Sequence, residues 1–493
     1  LGTLYQSKIF QGKVSATFSI GRFIESLLYK ACGIAQHKEM NWKHYVWAML
    51  IFNALGLLAV YVIQRLQGYL PLNPQGLTAP APLLAWNTAV SYMTNTNWQA
   101  YSGEITMSYL TQMLAMTTQN FLSAANGIAV CIAFIRGVGQ CQAQTLGNYW
   151  VDMTRCILYL LLPLSALLAV FLVSQGVIQN LKPNQPVVQL AASVHEQPIT
   201  GVVPMGPVAS QVAIKQLGSN GGGFFNANAA HPFENPTPLS NFIEMLAMIL
   251  LPAALCFTYG EMVHARRQGV VLFTAMLMIF MFALLGAVMA EQQGNPILTS
   301  LGANPLPEVG YPGGNMEGKE TRFGVTDSAI WSTIATATSN GSVNAELDSY
   351  LPLGGLIPLW MMQLGEVVFG GVGVGLLNMM MFVLLTVFVT GLMVGRTPEY
   401  MKKQVAPFEM KMASLVVLIV PIGVLVVTGI AAVTPMGVDA IHNQGAHGFT
   451  EMLYAFSSMA NNNGSAFSGL NANRPFYHIA GSILMLIGRF GVN

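Results

Sequence analysis

Eight stretches of apolar residues recur along this chain, near 44 to 63, 107 to 135, 150 to 175, 241 to 262, 270 to 290, 353 to 395, 411 to 433 and 479 to 493. About 20 such residues carry a helix across a bilayer, so the first seven stretches are long enough to span. The last, fifteen residues from Ile479 to Asn493, would be if it were complete. With only 8 % charged residues and a mean hydropathy of +0.52, the chain cannot dress a water-facing surface in polar groups. An all-α polytopic membrane protein is expected. The sixth stretch is about twice the length of a normal span. It is interrupted by Phe369-Gly370-Gly371-Val372-Gly373-Val374-Gly375, which reads as a broken helix with a flexible middle. Those glycines lack the spacing of a nucleotide-binding loop and lie mid-span.

Orientation follows from Lys and Arg. Alternate loops place fifteen of them on one side, Lys13, Arg136, Arg155, Arg267 and Lys403 among them, and six on the other, Arg65, Lys182, Lys215, Lys319, Arg322 and Arg474. The first side is expected to be cytoplasmic. A net charge of +1 with no basic run argues against a nucleic-acid partner. The five cysteines, Cys32, Cys131, Cys141, Cys156 and Cys256, show no CxxC or Cys/His metal spacing, and no metal or disulfide role is expected of them.

Four short polar segments punctuate the apolar chain: Thr94-Asn95-Thr96-Asn97, Ser219-Asn220-Gly221-Gly222, Ser339-Asn340-Gly341-Ser342 and Asn462-Asn463-Gly464-Ser465. Asn95, Asn220, Asn340 and Asn463 are 125, 120 and 123 residues apart. Each segment follows a mildly apolar stretch too short to cross a membrane: Leu84 to Met93, Val208 to Gly218, Asp327 to Thr338 and Phe449 to Ala460. Such stretches mark re-entrant helices. The repeating unit is therefore span, half-helix, loop, span, and four such units around an axis make a pore. This divides the chain into a cytoplasmic N-terminal segment, 1-43, and four pseudo-symmetric repeats, 44-136, 148-265, 268-396 with its second span broken at 369-375, and a C-terminally truncated 409-493.

A re-entrant helix entering from outside aims the partial negative charge of its C-terminus at the axis, which favours a cation. The following loop can replace a hydration shell with backbone carbonyls, and glycine admits the φ values this needs. Gly221, Gly341 and Gly464 fill that role; the first repeat offers Thr96 instead, so fourfold symmetry is expected to break there. No Asp or Glu lies in any segment, and divalent ions want carboxylates, so a monovalent cation, potassium first, fits best. A single Asn-Gly is ordinarily a surface turn; four at matched spacing, each behind a half-helix, are not ordinary. Gln99 is placed to brace the Thr96 loop. Trp86, Trp98, Trp331 and Trp360 read as interface anchors.

These segments, with Gly-Gly-Gly-Phe-Phe-Asn-Ala-Asn at 221 to 228, His-Pro-Phe-Glu-Asn-Pro at 231 to 236, Gly-Glu-Val-Val-Phe-Gly-Gly-Val-Gly at 365 to 373, Gly-Arg-Thr-Pro-Glu-Tyr at 395 to 400 and Asn-Asn-Asn-Gly-Ser-Ala-Phe at 461 to 467, closely resemble the KdpA family. That is the potassium-binding subunit of the bacterial Kdp potassium-transporting P-type ATPase, related in fold to the Trk, Ktr and HKT transporters. The resemblance implies ten transmembrane helices, one of them missing at the start here and most of the last two at the end. It implies a non-catalytic, channel-like subunit in the bacterial inner membrane, with K+ as substrate and no cofactor. The implied partners are membrane lipid, the catalytic subunit KdpB, the single-span KdpC and the small peptide KdpF. K+ would enter the four-loop filter from outside and leave sideways through a tunnel toward the catalytic subunit. The chain has no Asp-Lys-Thr-Gly phosphorylation motif and no Walker A, in keeping with a subunit that hydrolyses no ATP itself.

A continuous pore would short-circuit a pump, so the inner exit must be closed. The broken helix with Gly370, Gly371 and Gly373 is the leading candidate, and Arg489 in the last span is a second barrier. Glu366, deep in apolar sequence, is a candidate to stabilise an ion in the tunnel; capping or pairing with Arg is its plainer role. Glu244 reads as a solvated residue at the outer interface. Gly-Arg-Thr-Pro-Glu-Tyr is either a positive-inside anchor with a proline stop or a docking point for the catalytic subunit. A stand-alone Trk-like channel or symporter is the alternative function. An intramembrane enzyme would need a nucleophile and base facing each other, and no such arrangement appears.

Overall fold

A computed structural model gives the fold. It describes residues 7–12, 19–140, 144–188, 200–302, 304, 306 and 313–492, so Lys13, Cys141 and Asn493 lie outside the described residues. Seven helices among the described residues are long and apolar enough to cross a membrane. In chain order the main helices are α1 (Ser19–Cys32), α2 (Trp42–Leu66), α3 (Pro82–Met93), α4 (Thr111–Gly139), α5 (Tyr149–Ser174) and α6 (Val208–Leu217). They continue with α7 (Pro238–Met262), α8 (Arg266–Gln292), α9 (Gly324–Ala337), α10 (Pro352–Gln363), α11 (Val374–Met393), α12 (Pro407–Val433), α13 (Gly445–Ala460) and α14 (Pro475–Val492). The four short helices α3, α6, α9 and α13 each stand directly before one of the polar segments. Among the described residues the strands are small, notably β1 (Gln185–Val188) pairing antiparallel with β2 (Thr200–Val203) between α5 and α6.

The sixth apolar stretch does not form one rod. It stops at Gln363 and resumes at Val374, because Gly365, Glu366, Phe369, Gly370 and Gly373 between them all take positive φ, which a right-handed helix cannot hold. The break is wider than the glycine run suggests, and it is packed: Val368 and Phe369 are buried, and Gly370 N donates to Ala337 O at 2.8 Å, the end of α9.

Small residues let the spans approach closely, as helices in lipid must. A Cβ on Gly269 of α8 would lie 3.2 Å from the Gly260 Cα of α7, and one on Gly127 of α4 would overlap the carbonyl of Val372 in the break. Within the 1–43 segment, α1 turns its carboxylate inward: Glu25 accepts from Arg155 Nε at 3.0 Å, Tyr29 Oη at 2.8 Å and Tyr159 Oη at 2.5 Å, while Ile20, Phe23 and Leu27 face outward.

Where α4 ends and α5 begins, Arg136 grips Asp152 with two bonds, 2.6 and 2.8 Å, and Tyr45 Oη adds a third at 3.2 Å. Asp152 is buried, and removing one partner of a buried pair leaves the other uncompensated at a cost of about 3–5 kcal/mol. Asp152→Ala is therefore expected to lower the thermal unfolding midpoint of the detergent-solubilised protein clearly; an unshifted midpoint would show that the pair contributes nothing to the fold.

Candidate functional site

Each short helix ends in the same way. The N–H groups of Thr96, Asn220, Asn340 and Asn463 reach back five residues to the carbonyls of Ser91, Lys215, Ala335 and Ser458, at 3.0, 2.9, 2.8 and 2.9 Å. The residue before each, Asn95, Ser219, Ser339 and Asn462, has φ of +67°, +49°, +53° and +53°. This is the Schellman termination, which turns the chain sharply off the helix end. It also corrects the register expected from the asparagine spacing. Thr96 is the counterpart of Asn220, Asn340 and Asn463, and Asn97 (φ +53°), not Thr96, stands where the others have Gly221, Gly341 and Gly464. The backbone aligns Asn95, Ser219, Ser339 and Asn462 by their φ; two positions on, Asn97, Gly221 and Gly464 again take positive φ, while Gly341 does not.

The four turns close a ring. From the first to the second, Asn95 Nδ2 donates to Ser219 O at 3.1 Å. From the second to the third, a Cβ on Gly221 would come within 2.5 Å of Gly341 Cα and of Ser342 N. From the third to the fourth, Ser339 Oγ donates to Asn462 O at 3.1 Å, and a Cβ on Gly341 would lie 2.7 Å from Asn463 O. From the fourth back to the first, Asn462 Nδ2 donates to Thr96 Oγ1 at 2.9 Å, and a Cβ on Gly464 would overlap the carbonyl of Thr96. Asn97, Gly221, Gly341 and Gly464 all border one cavity of about 920 Å³, whose walls also include Lys319 and Glu346. Three side-chain oxygens of the turns, Asn97 Oδ1, Ser219 Oγ and Asn220 Oδ1, are buried without a hydrogen-bond partner.

The supports differ from those expected. Gln99 ties its own repeat to the second: its Nε2 reaches Tyr92 Oη of α3 at 3.1 Å and Gly223 O at 3.0 Å, and its Oε1 accepts from Gly223 N at 2.9 Å. Gly222 packs against Asn97, where a Cβ would approach to 2.9 Å. Trp331 is fully buried and donates from Nε1 to Ser342 O at 3.0 Å, and Trp98 is buried too, its carbonyl accepting from Ser91 Oγ at 3.0 Å. Neither is an interface anchor; of the four tryptophans, Trp86 is exposed and Trp360 partly so, and these two have the accessibility for that. Glu244, expected in solvent, is fully buried and accepts from Gln216 Nε2 at 2.8 Å, while Gln216 Oε1 accepts from Asn340 Nδ2 at 3.0 Å. Hydropathy along α7 could not reveal that α6 lies over its start.

On the other face of the ring, Glu366 Oε1 shares the single Ser339 hydroxyl proton with Asn462 O, and a Cβ on Gly371 would lie 3.7 Å from Glu366 Oε2. A Cβ on Gly373 would overlap the carbonyl of Gly127 in α4. Arg489, also buried, donates from Nη2 to Ser123 O at 3.0 Å and lies beside Gly127. Glu366, Asn461 and Asn462 border a second cavity of about 320 Å³ that continues along Met381 and Phe382 of α11 and Val420 of α12. Its walls come from α11 and α12, with Gln363 at the end of α10 and Gly488 of α14.

A family model described as KdpA, the potassium-transporting ATPase A subunit, matches residues 1–493. A protein of Sorangium cellulosum named potassium-transporting ATPase potassium-binding subunit is 58 % identical over all of this chain and 85 % of its own length. One of the same name from Methylococcus capsulatus is 53 % identical over 99 % of this chain and 84 % of its own. The crystal structure of the potassium transporter TrkH from Vibrio parahaemolyticus superposes with a TM-score of 0.58 over 93 % of this chain and 84 % of that one, at 12 % identity, a likeness of fold.

Proposed function

The chain belongs to the KdpA family, the non-catalytic potassium-binding subunits of a potassium-transporting ATPase, and from that premise we propose that the ring of four turns is the place where K+ is selected. The observation that carries it is the closed cyclic order of the four turns at the C-terminal ends of four half-helices. Those ends supply partial negative charge without any carboxylate, and the unpaired oxygens of Asn97, Ser219 and Asn220 are acceptors in want of a partner. In this assignment Thr94, Asn95, Thr96, Asn97, Ser219, Asn220, Gly221, Gly222, Ser339, Asn340, Gly341, Asn462, Asn463 and Gly464 form the filter within four repeats around a pore. Its wide cavity faces outside the bacterial inner membrane.

The ion then passes below the ring, meets Glu366 and leaves sideways along α11 and α12, because the broken helix and Arg489 obstruct the straight path. A catalytic P-type subunit of the KdpB kind, with KdpC and KdpF, receives it and drives release inward. The chain expressed with those partners and reconstituted in vesicles is expected to accumulate K+ only when ATP is supplied, with hydrolysis stimulated by K+. Conduction by this chain alone, without ATP, would make it a Trk-like channel or symporter instead.

A further inference from the structure

The four turns are neutral, yet a buried ion pair stands directly behind the second, and the ion path does not use it. Lys215, in the last turn of α6, and Glu234, in the loop before α7, both have side chains wholly out of solvent, and their charged ends touch. Lys215 Nζ also donates to Asn228 Oδ1 at 2.8 Å, and Asn228 Nδ2 donates to the carbonyl of Gly221 at 2.7 Å. At its other end, the Lys215 carbonyl accepts from Asn220 N at 2.9 Å and from Asn340 Nδ2 of the third turn at 3.1 Å. Glu234 Oε1 accepts from Phe225 N at 2.9 Å, pinning the loop that carries Asn228. A buried pair of this kind adds little stability over an apolar pair of equal volume, so its consequence is positional: it fixes where one ring carbonyl lies. Because Glu234 offsets the ammonium, the clamp does so without repelling a cation in the ring.

We propose that Lys215 and Asn228 are positioning residues for ion selection, the Glu234-held ammonium orienting Asn228 and Asn228 orienting the Gly221 carbonyl. This rests on the four turns being the ion site. Asn228→Asp is the discriminating change, since aspartate keeps an acceptor for Lys215 and tolerates the positive φ of +53° here but has no N–H for Gly221. In the assembled complex, the ratio of K+ to Rb+ concentrations giving half-maximal ATPase stimulation is expected to shift by about tenfold.

Glu234→Gln, which leaves the ammonium uncompensated, is expected to weaken apparent K+ affinity by at least about tenfold. Lys215→Met combined with Glu234→Gln is expected to recover that affinity but not the selectivity, since the charge has gone and so has the clamp. Full recovery of both would mean the pair acts by charge alone and would overturn the relay. Gly341→Ala separates the two levels. If it alters the ratio while Asn228→Asp does not, the relay is wrong and the ion site stands; if neither does, both fall.

Discussion

Gly221→Ala is expected to raise the K+ concentration for half-maximal ATPase stimulation by about 5- to 150-fold, the equivalent of the roughly 1–3 kcal/mol that a strained backbone stores. The new methyl would collide with the backbone of Gly341 and Ser342, and neither can move as a flexible side-chain end would. Gly221 also sits at φ +88°, outside the range that alanine takes comfortably. The third turn must therefore retreat, and it is tied in turn to the fourth through Ser339 and Asn462. Gly221→Asp adds a fixed charge to the same distortion and is expected to loosen discrimination among monovalent cations further. Co-purification of the variant with its partners separates a local change from loss of the fold. An assembled variant with unaltered affinity and selectivity would remove the ring from the ion path.

Glu366→Gln is expected to slow K+-stimulated turnover by about tenfold while shifting apparent affinity much less. Opposite charges 4 Å apart attract by roughly 4 kcal/mol at an effective dielectric of 20, and water entering the cavity reduces this. Glutamine preserves an acceptor for Ser339 Oγ, so the third turn keeps its support and binding at the ring persists. On the proposed path, an ion that has left the ring would lose the carboxylate bordering the second cavity. A larger effect on affinity than on turnover would place Glu366 with the ring instead of the exit.

The positions of Gly221, Gly341 and Gly464, the half-helices before them and the break near Gly370 were legible because each has a local cause: apolar length, polar interruption, or a φ that only some residues take. The partners of Gln99, Trp331 and Glu244 were not. Gln99 reaches Gly223 from 124 positions away, and Glu244 meets the ring through Gln216, contacts that no periodicity encodes. The register of the first turn was misread for a related cause. Asn97 does with its own positive φ what glycine does at Gly221 and Gly464, and asparagine is one of the residues able to do so.

By itself, then, the sequence determined that this chain lives in a bilayer, that its spans are helical and that four uncharged turns interrupt them, since all three follow from solvation of backbone and side chains along short segments. Only the tertiary structure decided that the turns meet edge to edge, in which register, and that Lys215 and Glu234 are buried behind them. The meeting of the turns depends on packing between residues more than a hundred positions apart, the register on the φ each helix end adopts, and the ion pair on a loop that folds back 19 positions onto α6.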